Sequence, residues 1–62
     1  MLNIVPPVHP QIGDSIEVHE DGQWLPTTIT NVTRNRVIGY IESQGITFSY
    51  SIQSYRQHWR YR

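Results

Sequence analysis

The chain has 62 residues, no cysteine, and five basic against five acidic residues for a formal net charge of zero. Such a length allows one domain that buries only ~60% of the surface its unfolded form exposes, with no disulfide or thiolate metal site to staple it. No apolar run approaches the ~20 residues of a membrane-crossing helix, and prolines follow Met1-Leu2-Asn3-Ile4 where a signal peptide would have its apolar core. These observations predict a soluble cytoplasmic domain with no membrane association (in a host cytoplasm if the gene is viral).

Residues 1–11 contain Pro6, Pro7 and Pro10, which lack an amide donor, so this stretch reads as an extended, partly ordered arm. Ile4, Val5 and Val8 are its side chains available to pack on the domain or on a partner. The domain itself is expected over residues 12–62. Residues 14–19 alternate, with Ile16 and Val18 on one side and Ser15, Glu17 and His19 on the other, the signature of a half-buried strand. Asp21-Gly22 is a hairpin signal, because such turns need positive φ.

Residues 23–33 form the next predicted strand, with Leu25, Thr27 and Ile29 on one face. Val32 then breaks the alternation, which predicts a bulge near Thr30-Asn31; Pro26 needs a place where no ladder donor is missing. A turn at Arg34-Asn35 leads to a third strand over 36–42. Gly39 in its middle predicts a close backbone approach or a sharp bend. A turn at Gln44-Gly45 leads to a fourth strand over 46–50. Ser49 to Tyr55 loses alternation and reads as a short 3₁₀ turn with Ile52 tucked beneath it, before a closing strand over 58–61. The predicted fold class is all-β, a five-stranded small barrel whose core includes Ile16, Val18, Thr27, Ile29, Ile41, Ile52 and Trp59.

The charges are segregated. Asp14, Glu17, Glu20 and Asp21 lie in the first half; Arg34, Arg36, Arg56, Arg60 and Arg62 lie in the second, against Glu42 alone. All the basic residues are arginine, which stacks on flat groups and grips carboxylates or phosphates with a rigid fork. In the run from Tyr55 to Arg62, strand alternation would put Arg56, His58, Arg60 and Arg62 on one face and Gln57, Trp59 and Tyr61 on the other. A basic strip interleaved with rings is suited to phosphates and bases. It is also the composition of a solvated closing strand guarded by charge, or of a protein interface. His9, His19 and His58 show no metal-ligand spacing, no nucleophile motif is present, and the paired acids Glu20-Asp21 fall at a turn. The residues therefore predict no enzyme, no metal site and no cofactor.

The order of elements resembles the SH3-like small barrel, and within it the Tudor and agenet branch. The stretch Asp21-Gly22-Gln23-Trp24-Leu25-Pro26-Thr27-Thr28-Ile29 is similar to the Tudor segment in which an acidic-Gly turn leads to an aromatic, a proline, two small residues and isoleucine. Val37-Ile38-Gly39-Tyr40 is similar to the Tudor third strand. The resemblance implies a cage that holds a methylated cation by cation–π attraction. Tyr40 stands at one cage position; Val18, Leu25, Ser43 and Gly45 stand at the others. Trp24, Tyr40, Phe48 and Tyr50 are the rings from which this chain would build a groove of its own.

A second resemblance is to plasmid-encoded type II dihydrofolate reductase, also a minimal SH3-like barrel. Gly39-Tyr40-Ile41-Glu42-Ser43 is similar to one of its strands, and Ser49-Tyr50-Ser51-Ile52 lies at its active-site motif, with Tyr50 matching and Phe48 and Ser49 replacing glutamine and isoleucine. That resemblance implies a tetramer around a shared pore that binds a nicotinamide cofactor.

Three functions follow as expectations. The first is a non-enzymatic binding module that contacts nucleic acid through Arg34, Arg36, Arg56, Arg60 and Arg62. The second is a protein-interaction module, of the kind phages and plasmids carry as accessory proteins, using a groove around Trp24, Tyr40, Phe48 and Tyr50. The third is an oligomeric reductase-like enzyme.

Overall fold

Alternating apolar residues separated by turn chemistry become five antiparallel strands: β1 (Ser15–Glu20), β2 (Gln23–Val32), β3 (Arg36–Ile41), β4 (Ile46–Ser51) and β5 (Trp59–Tyr61). The structure, a computed structural model, describes residues 4–62. The strands form one sheet in the order β4-β3-β2-β1-β5, so the last strand returns to pair with the first through Ile16↔Tyr61 and Val18↔Trp59. Among the described residues no helix is long and apolar enough to cross a membrane.

Each hairpin is set by local chemistry. Asp21 (φ 50°) and Gly22 (φ 76°) both adopt left-handed backbone, the two-residue turn whose twist matches its flanking strands. At Arg34-Asn35 the Thr33 side chain does the closing: its Oγ1 accepts from the Arg36 N–H at 3.1 Å, while the Thr33 N–H donates to Arg36 O at 2.9 Å. Gly45, at φ 67°, donates to Ile41 O at 2.8 Å and closes the β3–β4 turn.

The predicted bulge is present. The β2–β3 register shifts between Ile29 and Asn31, which restores Val32 to the side facing Val37. Pro26 lies outside that ladder, which begins at Thr28↔Tyr40, so its missing donor breaks nothing there. Gly39 is the close approach: a Cβ built on it would stand 2.5 Å from Phe48 Cε1 and 2.6 Å from Thr28 O. The Phe48 ring occupies the space that a side chain would need.

The core comprises Ile16, Val18, Ile29, Val37, Ile41, Phe48, Ile52 and Trp59. Thr27 does not belong to it. It shares the inward side of the ladder with Ile16, but it is only half-buried, and its hydroxyl donates to Tyr40 O at 2.6 Å. Val37 and Phe48 supply the inward volume from β3 and β4.

The edge strands β4 and β5 are not paired with each other but are linked by a side-chain hydrogen bond. Trp59 Nε1 on β5 donates to Ser51 O on β4 at 3.2 Å. Between the two strands the chain turns twice, with Ser54 N–H donating to Ser51 O at 3.0 Å and His58 N–H to Ser54 O at 2.9 Å, and Ile52 is buried beneath.

Residues 1–3 of the predicted arm lie outside the described residues. From Ile4 onward the arm docks through backbone and prolines. Ile4 N–H donates to Gln53 O at 3.0 Å, Tyr61 Oη donates to Val8 O at 2.8 Å, and Pro6 and Pro10 are buried. The aliphatic side chains of Ile4, Val5 and Val8 remain exposed.

Candidate binding face

The pairing register assigns each strand residue to a face. Glu17↔Arg60, Glu17↔Pro26, His19↔Trp24, Ser15↔Thr28 and Thr28↔Tyr40 are partners on the side away from the core. Arg62 follows on the same face, its N–H donating to Ser15 O at 3.4 Å. One outer surface over β5, β1, β2 and β3 thus carries Arg60, Arg62, Trp24 and Tyr40 between hydroxyl side chains.

Arg60 is already positioned. Its Nε donates to Glu17 Oε1 at 2.9 Å, and its guanidinium lies 4.1 Å from the centroid of the Trp24 ring. The Trp24 ring also meets His19 at 5.1 Å between centroids. Both partners of the ion pair are partly solvated, so it contributes only ~0.2–1 kcal/mol. Its larger consequence is orientation, since carboxylate and ring together restrict where the guanidinium can lie.

Arg62 and Tyr40 belong to a neighbouring open groove of about 300 Å³, lined also by Ser15, Pro26, Thr27, Thr28, Thr30 and Glu42. Tyr40 is 48% exposed, which leaves a ring face available for stacking. Arg62 and Glu42 place opposite charges on this groove.

The remaining predicted arginines do not line this groove. Arg34 lies exposed in the β2–β3 turn. Arg36 is anchored to β4, its Nε donating to Ser49 Oγ at 2.7 Å and its Nη2 to Ser49 O at 2.8 Å. Arg56 does not continue a strip with Arg60 and Arg62. It sits before β5 with left-handed backbone (φ 71°), its N–H donating to Trp59 O at 2.6 Å, so strand alternation does not extend back to it. His58 leaves the face for the same reason, and its ring stacks on Tyr50 at 5.3 Å with planes 9° apart.

The four rings expected to form a groove do not converge. Phe48 is core, at 4% exposure. Tyr50 points to the inward rim, where its hydroxyl donates to the Glu20 carboxylate. Trp24 and Tyr40 alone share the outer face. Among the described residues no group of three His, Cys, Asp or Glu side chains is placed to hold a metal ion. Sequence reasoning missed Glu17, Glu42, Ser15 and the β2 threonines as parts of the face; the alternation of β1 and β2 carried that signal, but only the cross-strand register unites it with β5. Comparison with protein-family models, with curated proteins and with solved structures finds no match to this chain.

Proposed function

We propose that the chain is a small non-enzymatic binding module, an SH3-like and Tudor-like barrel in scaffold, that contacts single-stranded nucleic acid through its outer face. The observation that carries this reading is the alternation of arginine and ring on one surface: Arg60 over Trp24, then Arg62 and Tyr40 in one groove. Arginines neutralise phosphates while an exposed ring stacks on any base, which is how single strands are held without a deep pocket. The scaffold reading draws its support from the strand order and from the three-residue closing strand that pairs with β1.

The test is fluorescence anisotropy with labelled single- and double-stranded oligonucleotides at low salt. Single strands bind more tightly, affinity falls with salt, and removal of Arg60 or Arg62 lowers the slope of log K against log salt by about 0.7 each. No binding at tens of micromolar sinks the reading.

A second reading, a protein-interaction module, has one observation in its favour. Val5, Val8 and Ile12 are 69%, 62% and 66% exposed on and beside the docked arm. Binding to a protein partner that survives Arg60→Ala and Arg62→Ala but not Val5→Ser/Val8→Ser would select it.

A further inference from the structure

The outer-face groove is asymmetric in its hydrogen-bonding chemistry. Arg62 brings donors and a positive charge. Ser15 and Thr28 carry hydroxyls that can donate or accept. Thr27 spends its hydroxyl proton on Tyr40 O at 2.6 Å and Thr30 spends its own on Ile38 O at 3.4 Å, so each is left only as an acceptor. Glu42 adds a carboxylate, an acceptor with no donor of its own. Tyr40 adds a ring face, and its hydroxyl reaches toward the β3–β4 turn, where a Cβ on Gly45 would be 3.6 Å from it. The fitting ligand therefore has an anion at one end, a flat π-system in the middle and N–H donors on its far edge.

We infer that this groove takes one guanine nucleotide of a single strand, with phosphate on Arg62, base against Tyr40 and base edge on Glu42. The inference rests on the nucleic-acid reading above and deepens it. Guanine presents N1–H and N2–H side by side, matching the two oxygens of a carboxylate. Uracil opposes the carboxylate with two carbonyls around one N–H, and adenine and cytosine present one amino group beside a ring acceptor. Recognition on the Watson–Crick edge of an unstacked base is how single strands are read for sequence. A peptide terminus would satisfy Arg62, but it brings acceptors as often as donors along its backbone and no flat ring for Tyr40. The volume of about 300 Å³ lies at the small end of ligand pockets and suits one nucleotide.

The experiment uses the full chain and a labelled uridine oligonucleotide whose central residue is guanosine, inosine, adenosine, cytidine or uridine. The guanosine strand binds about tenfold tighter than the uridine strand, as expected of one two-bonded base contact. Inosine, which lacks the N2 amino group, falls between them. Glu42→Gln binds the uridine strand at least as well as the parent, because a negative charge is gone, while its preference for guanosine drops below about twofold. Arg62→Ala weakens all five strands alike. Equal affinity for all five strands, or a guanosine preference unchanged in Glu42→Gln, overturns the guanine site and leaves the nucleic-acid reading standing. Failure of every strand to bind removes both. Guanosine monophosphate that binds more tightly than the guanosine strand overturns assignment to a strand and gives the groove to a free nucleotide.

Discussion

Ile16 and Glu17 are neighbours on β1, yet one has no exposed surface and the other reaches out to Arg60. The same division runs through every strand. The buried side chains on the inward positions of β1 to β5 are aliphatic or aromatic: Val18, Ile29, Val37, Ile41, Phe48 and Trp59. Outward positions one residue away are Ser15, His19, Thr28, Tyr40, Thr47 and Arg60, polar or flat, with room around them. The difference teaches where each kind of constraint acts. A core this small has no spare volume, so inner positions answer to packing. The outer face contributes little to stability and is available for chemistry. Substitutions on the two faces should therefore separate cleanly into losses of folding and losses of binding.

The largest effect falls on Trp59. It is fully buried, pairs with Val18, and ties β5 to β4 through its bond to Ser51 O. Trp59→Ala removes that volume and that tie and costs about 3–5 kcal/mol. That is comparable to the whole stability of so short a domain, at roughly 0.05–0.15 kcal/mol per residue. Urea denaturation followed by circular dichroism should find the variant largely unfolded before urea is added. A cooperative transition with a near-parental midpoint would contradict the assignment of Trp59 to the core.

Gly39 comes next, as the place where adding atoms does the damage. Gly39→Ala pushes a methyl group into the Phe48 ring and Thr28 O, and overpacking of this kind costs about 1–3 kcal/mol. Trimming the ring by Phe48→Leu in the same chain relieves the side-chain clash but not the one with the Thr28 carbonyl. The double variant should therefore remain less stable than Phe48→Leu alone, which a pair of thermal melts will decide.

Tyr61 stands at the boundary between the faces, holding the arm through Val8 O. Loss of that hydrogen bond in Tyr61→Phe costs about 0.5–1.5 kcal/mol at neutral pH. The hydroxyl also has a raised pKa, first from burial and then from the charges of Asp14 and Tyr55. Unfolded tyrosine releases its proton near pH ~10 while the folded residue still holds it, so the unfolded state binds fewer protons and stability falls as pH rises above that value. Below it the full contribution is present. Urea midpoints measured from pH 8 upward should fall more steeply for the parent than for Tyr61→Phe.

What the sequence made legible was what depends on near neighbours. Strand alternation, the Asp21-Gly22 turn, the slip at Thr30 and the need for a bare Gly39 are all local, and all correspond to observed features. What depends on register across the sheet was not legible. Thr27 has the parity of a core residue but lies where the β2–β3 ladder has already ended. Phe48 reads as a surface ring until Gly39 is found directly opposite it. The arm read as a leader because prolines carry no periodic signal, although Pro10 is among the most buried residues. The outer face was half-visible: Arg60 and Arg62 stood out in sequence, but Glu17, Trp24 and Tyr40 join them only through pairings that span most of the chain.

Tyr40 gives the smallest expected effect on folding and the sharpest test of the division. Its ring is nearly half exposed, and its backbone, not its side chain, pairs with Thr28 and accepts from Thr27. Tyr40→Ala leaves those backbone contacts in place, so stability should change by no more than about 0.5 kcal/mol, as at other surface positions. The same substitution removes the one stacking face in the groove. Stacking of a base on an aromatic ring is worth about 1–3 kcal/mol, so single-strand affinity should fall by roughly five- to 150-fold. Thermal melts and anisotropy titrations on one preparation measure both quantities together. A variant that melts much earlier would show that the outer face supports the core after all. A variant that melts normally and binds normally would move the binding site off this groove.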